Sequence, residues 1–230
     1  MSPTRREEIS AESRARILRA ATDLLAEQGL RAATVHKVAE RAGISHTSVG
    51  WHFGSKDGLA CAVTEAAFEA VFARFAALAD DDAPRTVARF LEAHRDITAS
   101  TPGRVFARIL PEVALSDGRL REIYVDGYRR IRELATAYLE PVVAAAGVDV
   151  DASTFASALF ASGAGVNLMR GLDPTSSRRS GFAVVGQVFS CMLTAGPSTG
   201  SVEEGHGPSG CRAQADQAQR EHAEGEAGPR

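Results

Sequence analysis

Cysteine, tryptophan and long apolar runs are scarce in this 230-residue chain. Its three cysteines, Cys61, Cys191 and Cys211, are an odd and scattered set that fits neither a disulfide framework nor a metal-binding spacing. No apolar run approaches the roughly 20 residues that span a bilayer. The arginines of the N-terminus are not followed by the apolar run of a secretory signal. These absences predict a cytoplasmic protein with no metal, no cofactor and no membrane partner.

Sequence motifs of catalysis are missing as well. The chain has no Gly-rich phosphate loop, no nucleophile elbow and no His-Glu-x-x-His segment. His94, Arg95 and Asp96 form a charged cluster, which predicts a solvated helix face. The sequence therefore offers no catalytic residue and argues against an enzyme.

The chain has only a small excess of negative charge, and its first segment has only a small excess of positive charge. The net charge is −3, yet residues 1–60 carry nine Lys/Arg and seven Asp/Glu. The weak positive balance of this first segment is compatible with a nucleic-acid surface there, but it is only supporting evidence.

The stretch from Thr34 to Leu59 has the pattern of two short helices joined by a tight turn. Thr34 is a good N-cap, Gly43 suits a left-handed helix end, and Ser45 can cap the second helix. One apolar stripe runs along the first helix: Val35, Val38, Ala39 and Ala42. The second helix begins with small or planar polar side chains, which suits a recognition helix in the DNA major groove.

This stretch resembles the DNA-binding segment of the tetracycline-repressor (TetR) family. The residues that carry the resemblance are Val38-Ala39, Ala42-Gly43-Ile44-Ser45, Val49, His52-Phe53, Ser55-Lys56 and Leu59. Two positions depart from the family pattern: Thr47 replaces a small residue, and Gly50 replaces a Tyr that commonly reaches a phosphate. Trp51 is an alternative source of that contact.

Nine residues are predicted to contact DNA. His46 suits a base edge, since an imidazole both donates and accepts hydrogen bonds. His52 matches a phosphate-contacting position of the family, and Lys56 stands at a helix N-terminus that favours an anion. Ser48 either contacts a phosphate or merely caps the helix. The full set is Thr34, His36, Ser45, His46, Thr47, Ser48, Trp51, His52 and Lys56; Lys37 and Arg41 are interpreted as plain surface charges.

The predicted fold is all-α, because no segment alternates with period two. Residues 1–9 are expected to form a flexible arm, with Ser10 capping the first helix. A three-helix DNA-binding domain follows over residues 10–55, with the recognition motif at 34–53. A fourth helix opens a larger helical domain for effector binding and dimerisation, 56–195. Residues 196–230 have almost no large apolar side chain and are predicted to be disordered.

The larger domain is the part to which the resemblance assigns a dimer interface and a ligand cavity. For the interface, the sequence predicts two late helices that carry Phe155, Leu159, Val166, Phe182, Val185, Phe189 and Met192. The alternative is that these helices are ordinary core of one subunit. Candidate cavity residues are Phe106, Arg108, Tyr124, Tyr128 and Asn167.

Together these features predict a homodimeric transcriptional regulator, a repressor that binds a near-palindromic operator and releases it when a small molecule enters the larger domain. A helical small-molecule-binding module without DNA binding is one alternative, which the Gly50 departure suggests. An enzyme that uses the C-terminal cavity is the other.

Overall fold

The computed structural model describes residues 4–173, 175 and 178–194. Over these ranges the chain forms nine α-helices and no strand, so the predicted all-α fold is confirmed. The predicted disordered tail, 196–230, lies outside the described residues. The helices are α1 (Arg5–Gln28), α2 (Val35–Ala42), α3 (His46–Phe53), α4 (Lys56–Asp80), α5 (Val87–Ala99), α6 (Thr101–Val113), α7 (Arg119–Ala146), α8 (Ala152–Leu172) and α9 (Arg178–Thr194).

The first helix begins earlier than the sequence pattern suggests. Thr4 and Glu7 form a capping box: the Thr4 N–H donates to Glu7 Oε2 at 2.7 Å, and the Glu7 N–H donates to Thr4 Oγ1 at 3.4 Å. The flexible arm expected over residues 1–9 is therefore wrong for residues 5–9, which belong to α1. The N-cap expected at Ser10 is wrong as well, because the cap is Thr4. A helix start that satisfies two otherwise free N–H groups extends α1 by more than a turn.

The first three helices pack around a small apolar core. Ile17 of α1, Val38 of α2 and Val49 of α3 are all buried in it. The apolar stripe predicted for α2 faces this core, which leaves its polar side chains outside. The fold thereby fixes the orientation of α3 relative to α1 and α2.

Among the described residues, helices α4, α6 and α7 contact both apolar cores, with Tyr124 of α7 packed against each. The first half of α4 places Leu59 and Val63 in the N-terminal core, whereas Phe68 and Val71 join the core of the larger domain. In α6, Phe106 packs against both cores. The small and large domains are thus connected through continuous helices.

Neither a membrane helix nor a metal cluster is evident in the described ranges. No helix there is long and apolar enough to cross a bilayer. The same ranges hold no group of three or more potential metal-binding side chains.

Gly127 of α7 allows this helix to approach the Phe68 ring of α4 closely. A Cβ atom at position 127 would lie 2.5 Å from that ring. We expect Gly127→Ala to lower the free energy of unfolding by about 1–3 kcal/mol, because Phe68 must leave its position in a packed core. Gly50→Ala is the matched control, since a Cβ there meets nothing within 4 Å; better helix propensity should raise stability by up to about 1 kcal/mol. Urea unfolding measures both, and equal effects would contradict the close contact.

Candidate nucleic-acid interface and buried cavity

The bracing helix α2 and its following turn have the predicted caps. The Lys37 N–H donates to Thr34 Oγ1 at 3.3 Å. Gly43 adopts the left-handed conformation, with φ 62° and ψ 41°. The Arg16 guanidinium of α1 donates to the carbonyl oxygens of Ala42 at 2.6 Å and of Gly43 at 3.3 Å. The turn is therefore held firmly against α1.

The start of α3 presents polar side chains to solvent. The Ser48 N–H donates to Ser45 Oγ at 3.2 Å, and the two hydroxyl oxygens lie 2.8 Å apart. Ser48 thus takes part in the helix cap, one of the two roles open to it from the sequence. Val49 is buried, whereas His46 and Thr47 are exposed. Both side chains are therefore accessible to a DNA duplex.

Aromatic and basic side chains follow at the other end of α3. Trp51 is 74% exposed, and its ring lies 4.7 Å from that of His52 in an edge-on arrangement. Lys56 is half-buried and its Nζ donates to the Arg31 carbonyl oxygen at 3.2 Å. An ammonium has three donors, so two remain for a phosphate. The side chain thus extends from the first residue of α4 to the Arg31 carbonyl.

Two neighbouring cations are held by other side chains. Lys37 Nζ donates to Gln28 Oε1 at 3.1 Å, and Arg41 forms an ion pair with Glu27 at 2.9 Å. This agrees with their interpretation as surface charges. Thr34 and His36 are exposed, so all nine predicted contact residues are exposed or half-buried, and their contacts with DNA stay a prediction.

A cavity of about 610 Å³ lies inside the larger domain, between residues of α4 to α8. Its size suits a small organic ligand. Four of the five predicted cavity residues line it: Phe106, Tyr124, Tyr128 and Asn167. Burial raises the pKa of the Tyr124 hydroxyl, which keeps that hydroxyl a donor. The prediction that Arg108 is a cavity residue is wrong, because Arg108 is exposed and does not line the cavity. Arg121 of α7 does line it.

His94 is the polar residue that sequence reasoning missed. It lines the cavity, is only 4% exposed, and its Nδ1 has no hydrogen-bond partner among the described residues. Burial lowers its pKa to about 4. The predicted solvated face is therefore wrong for His94. A signal for its burial is present in the sequence, since His94 continues the buried stripe of α5: Val87, Phe90, Leu91, His94 and Ile97.

The residues predicted for a dimer interface divide into two groups. Phe155, Leu159, Phe182 and Phe189 are buried within the single chain, so their assignment to an interface is wrong. Large aromatic and aliphatic side chains fill the subunit's own core first; for example, the Phe155 and Phe189 rings pack edge to face at 5.1 Å. Val166 and Val185 are half-buried, and Met192 is exposed. The exposed apolar residues of these helices are Leu168, Met169, Val184, Val188 and Met192.

Comparison with known proteins agrees with this geometry. Residues 17–63 match the sequence family described as bacterial regulatory proteins, tetR family. The chain is 38% identical over 109 residues to an HTH-type transcriptional repressor of Mycobacterium tuberculosis, which covers 47% of this chain and 50% of that protein. It is 33% identical over 123 residues to the class A tetracycline repressor of transposon 1721 from Escherichia coli, covering 49% of this chain and 54% of that protein. The matches thus span about half the length of these relatives.

The fold itself is shared over a longer stretch. A transcriptional regulator of Saccharomonospora viridis, solved in complex with choline, superposes with a TM-score of 0.67 at 23% sequence identity. That similarity covers 78% of this chain and 96% of the other. The likeness therefore extends beyond α1–α4 into the larger domain.

Proposed function

Because the chain belongs to the TetR family of bacterial regulatory proteins, we propose that it is a ligand-responsive repressor that binds a near-palindromic operator as a homodimer. The observation that carries the proposal is the exposed polar start of α3, held on a bracing helix by two caps and by Arg16. The proposed place of action is the cytoplasm, where the operator is. The family consists of regulators rather than enzymes, so we assign no catalytic residue.

In the proposed complex, the start of α3 has one role, and the segment from the end of α3 to the start of α4 has another. His46 and Thr47 read base edges in the major groove, whereas Lys56, His52 and Trp51 contact the phosphate backbone. Both classes of contact recur in each half-site, because a two-fold dimer presents two copies of α3. The exposed apolar residues of α8 and α9 are the surface through which we propose that the subunits pair.

Ligand response is proposed to pass through α6 and α4. Phe106 of α6 lines the cavity and also packs against the N-terminal core, where Val105 and Ile109 of the same helix are fully buried. A ligand that displaces Phe106 changes how α6 meets α1. To release DNA, the ligand must bind more tightly to the state whose recognition helices are wrongly spaced. The choline complex of the neighbouring structure supports a small-molecule ligand in this fold.

Replacing the two predicted DNA contacts should change binding in different ways. Lys56→Ala removes a phosphate partner, so affinity should fall about equally for an operator and for random DNA, and the salt slope should shrink by about one unit for each phosphate that is no longer neutralised. His46→Ala removes a base-edge partner. A single imidazole contact lies at the lower end of the groove-contact scale, so the operator should lose about 1 kcal/mol per half-site and random DNA little. The measurement is titration with an operator selected from random-sequence DNA.

Lys37→Ala is the matched control for Lys56→Ala. It removes the only other lysine of the chain, so net charge changes equally, and Lys37 is interpreted as a surface charge rather than as a phosphate contact. We expect a smaller loss of affinity and an almost unchanged salt slope. If His46→Ala leaves the base preference intact, His46 does not read the operator, and Thr47 becomes the first candidate.

A further inference from the structure

The cavity lining is almost free of charge. Among the residues that the structure describes, the lining includes no carboxylate, and Arg121 is its only Lys or Arg. Arg121 is exposed near the start of α7, so its guanidinium stays hydrated. Most of the lining is aromatic or aliphatic, including Phe68, Phe75 and Phe160. A charged ligand group inside this cavity would therefore lose its hydration without gaining a counter-ion.

His94 is the one described polar side chain of this lining that is buried, since Thr98, Tyr124 and Asn167 are half-buried and Arg121 and Tyr128 are exposed. Its imidazole lies among aromatic rings, with centroid distances of 5.0 Å to Phe160, 5.7 Å to Phe182 and 6.3 Å to Phe90. Its Nδ1 is buried and has no partner among the described residues. Because the His94 side chain lines the cavity, a ligand that enters between the packed rings can use the hydrogen-bonding capacity that the protein leaves unused.

The charge of this imidazole is fixed by its surroundings. Burial lowers the pKa of His94 to about 4, so the ring is neutral at pH 7. A neutral imidazole carries one N–H donor and one nitrogen acceptor. Hydroxyl and carbonyl groups match it, whereas a carboxylate would find no positive charge there and an ammonium no negative one.

We infer that the effector is an uncharged, largely aromatic molecule whose single hydroxyl or carbonyl group is hydrogen-bonded to the imidazole of His94. This inference rests on the proposed ligand response and names the chemistry of its ligand. Its apolar body contacts the phenylalanine rings of the cavity. The competing arrangement is an anionic amphiphile whose head group meets Arg121, and it predicts the opposite preference for charge.

Three probes that share the naphthalene ring system test the inference with the full-length chain at pH 7: 2-naphthol, naphthalene and 2-naphthoate. Isothermal titration calorimetry should give 2-naphthol an affinity about five- to tenfold above naphthalene, the gain of one neutral hydrogen bond. It should place 2-naphthoate at least about tenfold below 2-naphthol, because its charge is desolvated on binding. Tightest binding of 2-naphthoate, or no binding of any of the three, would overturn the inference.

Substitution of His94 then identifies the partner of the hydroxyl. In His94→Phe the preference for 2-naphthol over naphthalene should vanish, while naphthalene still binds within about threefold of its original affinity because the aromatic volume is kept. His94→Gln, which keeps a donor and an acceptor, should retain part of the preference. If the preference persists in His94→Phe, the hydrogen bond is made elsewhere. Should that variant fail to fold, His94→Leu provides the same comparison.

Tyr138→Phe is the matched control. The Tyr138 hydroxyl is also buried and has no hydrogen-bond partner in the described part of the chain; its ring lies 5.7 Å from Phe90, yet it is not among the described lining residues. Its removal should leave all three affinities unchanged, and a loss equal to that of His94→Phe would overturn the assigned role of His94.

DNA release separates this inference from the proposed function. If 2-naphthol binds through His94 but operator binding never changes, the ligand response fails and the cavity chemistry stands. If a charged molecule releases the operator while the neutral probe does not bind, the cavity chemistry fails and the regulatory function stands.

Discussion

Placing a charge at Val188 is expected to dissociate the proposed dimer and to weaken operator binding by at least about 100-fold, since each protein then holds one half-site only. Val184, Val188 and Met192 recur every four residues along α9 and are about half exposed, at 59%, 52% and 45%. Leu168 and Met169 are exposed apolar side chains of α8, the helix that packs against α9, and Leu168 also lines the cavity. An aspartate at Val188 would be desolvated in both copies of a two-fold interface.

Sedimentation and operator titration of Val188→Asp measure the two effects together. Leu115→Asp is the control, because Leu115 is 93% exposed in the loop between α6 and α7 and the chemical change is similar. It should leave both the dimer and the affinity intact. Phe189→Asp should instead unfold the subunit, since Phe189 is buried against Phe155. A folded Val188→Asp protein that still sediments as a dimer would place the interface elsewhere.

Acid is expected to destabilise the fold by roughly 3 kcal/mol through His94 alone. The pKa of His94 is about 4 in the folded chain, against an ordinary value of 6.5. Between these values the unfolded chain binds a proton that the folded chain does not, so stability rises with pH. The stability that the neutral, buried His94 contributes to the folded chain is fully present above about pH 6.5 and is lost as the pH falls towards 4.

Urea unfolding of the wild type and of His94→Phe at pH 7, 6, 5 and 4 isolates this effect. Exposed carboxylates titrate in both proteins, so the difference between them reports His94. The variant should lose markedly less stability than the wild type over this range, and parallel curves would contradict a buried neutral imidazole. Tyr138→Phe should follow the wild type, because this substitution leaves the buried imidazole of His94 in place.

The helices of the candidate nucleic-acid interface are predictable because their signals are local. A threonine cap, a left-handed glycine and a serine cap each act within a few residues, so Thr34, Gly43 and Ser45 can be assigned from the sequence alone. The capping box of Thr4 and Glu7 is a signal of the same kind, but the charged residues around it resemble a solvated tail and hide it.

The larger domain is less predictable, because burial there is decided between helices that are distant in sequence. The neighbours Arg95 and Asp96 suggest a solvated His94, although its position on the α5 stripe decides its burial. Phe189 suits a dimer interface because it is large and apolar, yet the subunit core takes such side chains first. The smaller Val188, one residue earlier, lies on the exposed face. Periodicity identifies two faces of α9 but does not say which one meets α8.

Helix α4 restricts where the chain can tolerate an insertion or a deletion. Its residues serve one core up to Ala67 and the other from Phe68 onwards. Each residue turns an α-helix by about 100°. Insertion or deletion of one residue at the junction of Ala67 and Phe68 would therefore rotate the apolar face of one half of the helix away from its core. The same change in the segment between α4 and α5 leaves both faces in register. Length variation among homologous regulators should therefore concentrate in the loops of the larger domain, while the number of residues in α4 stays constant.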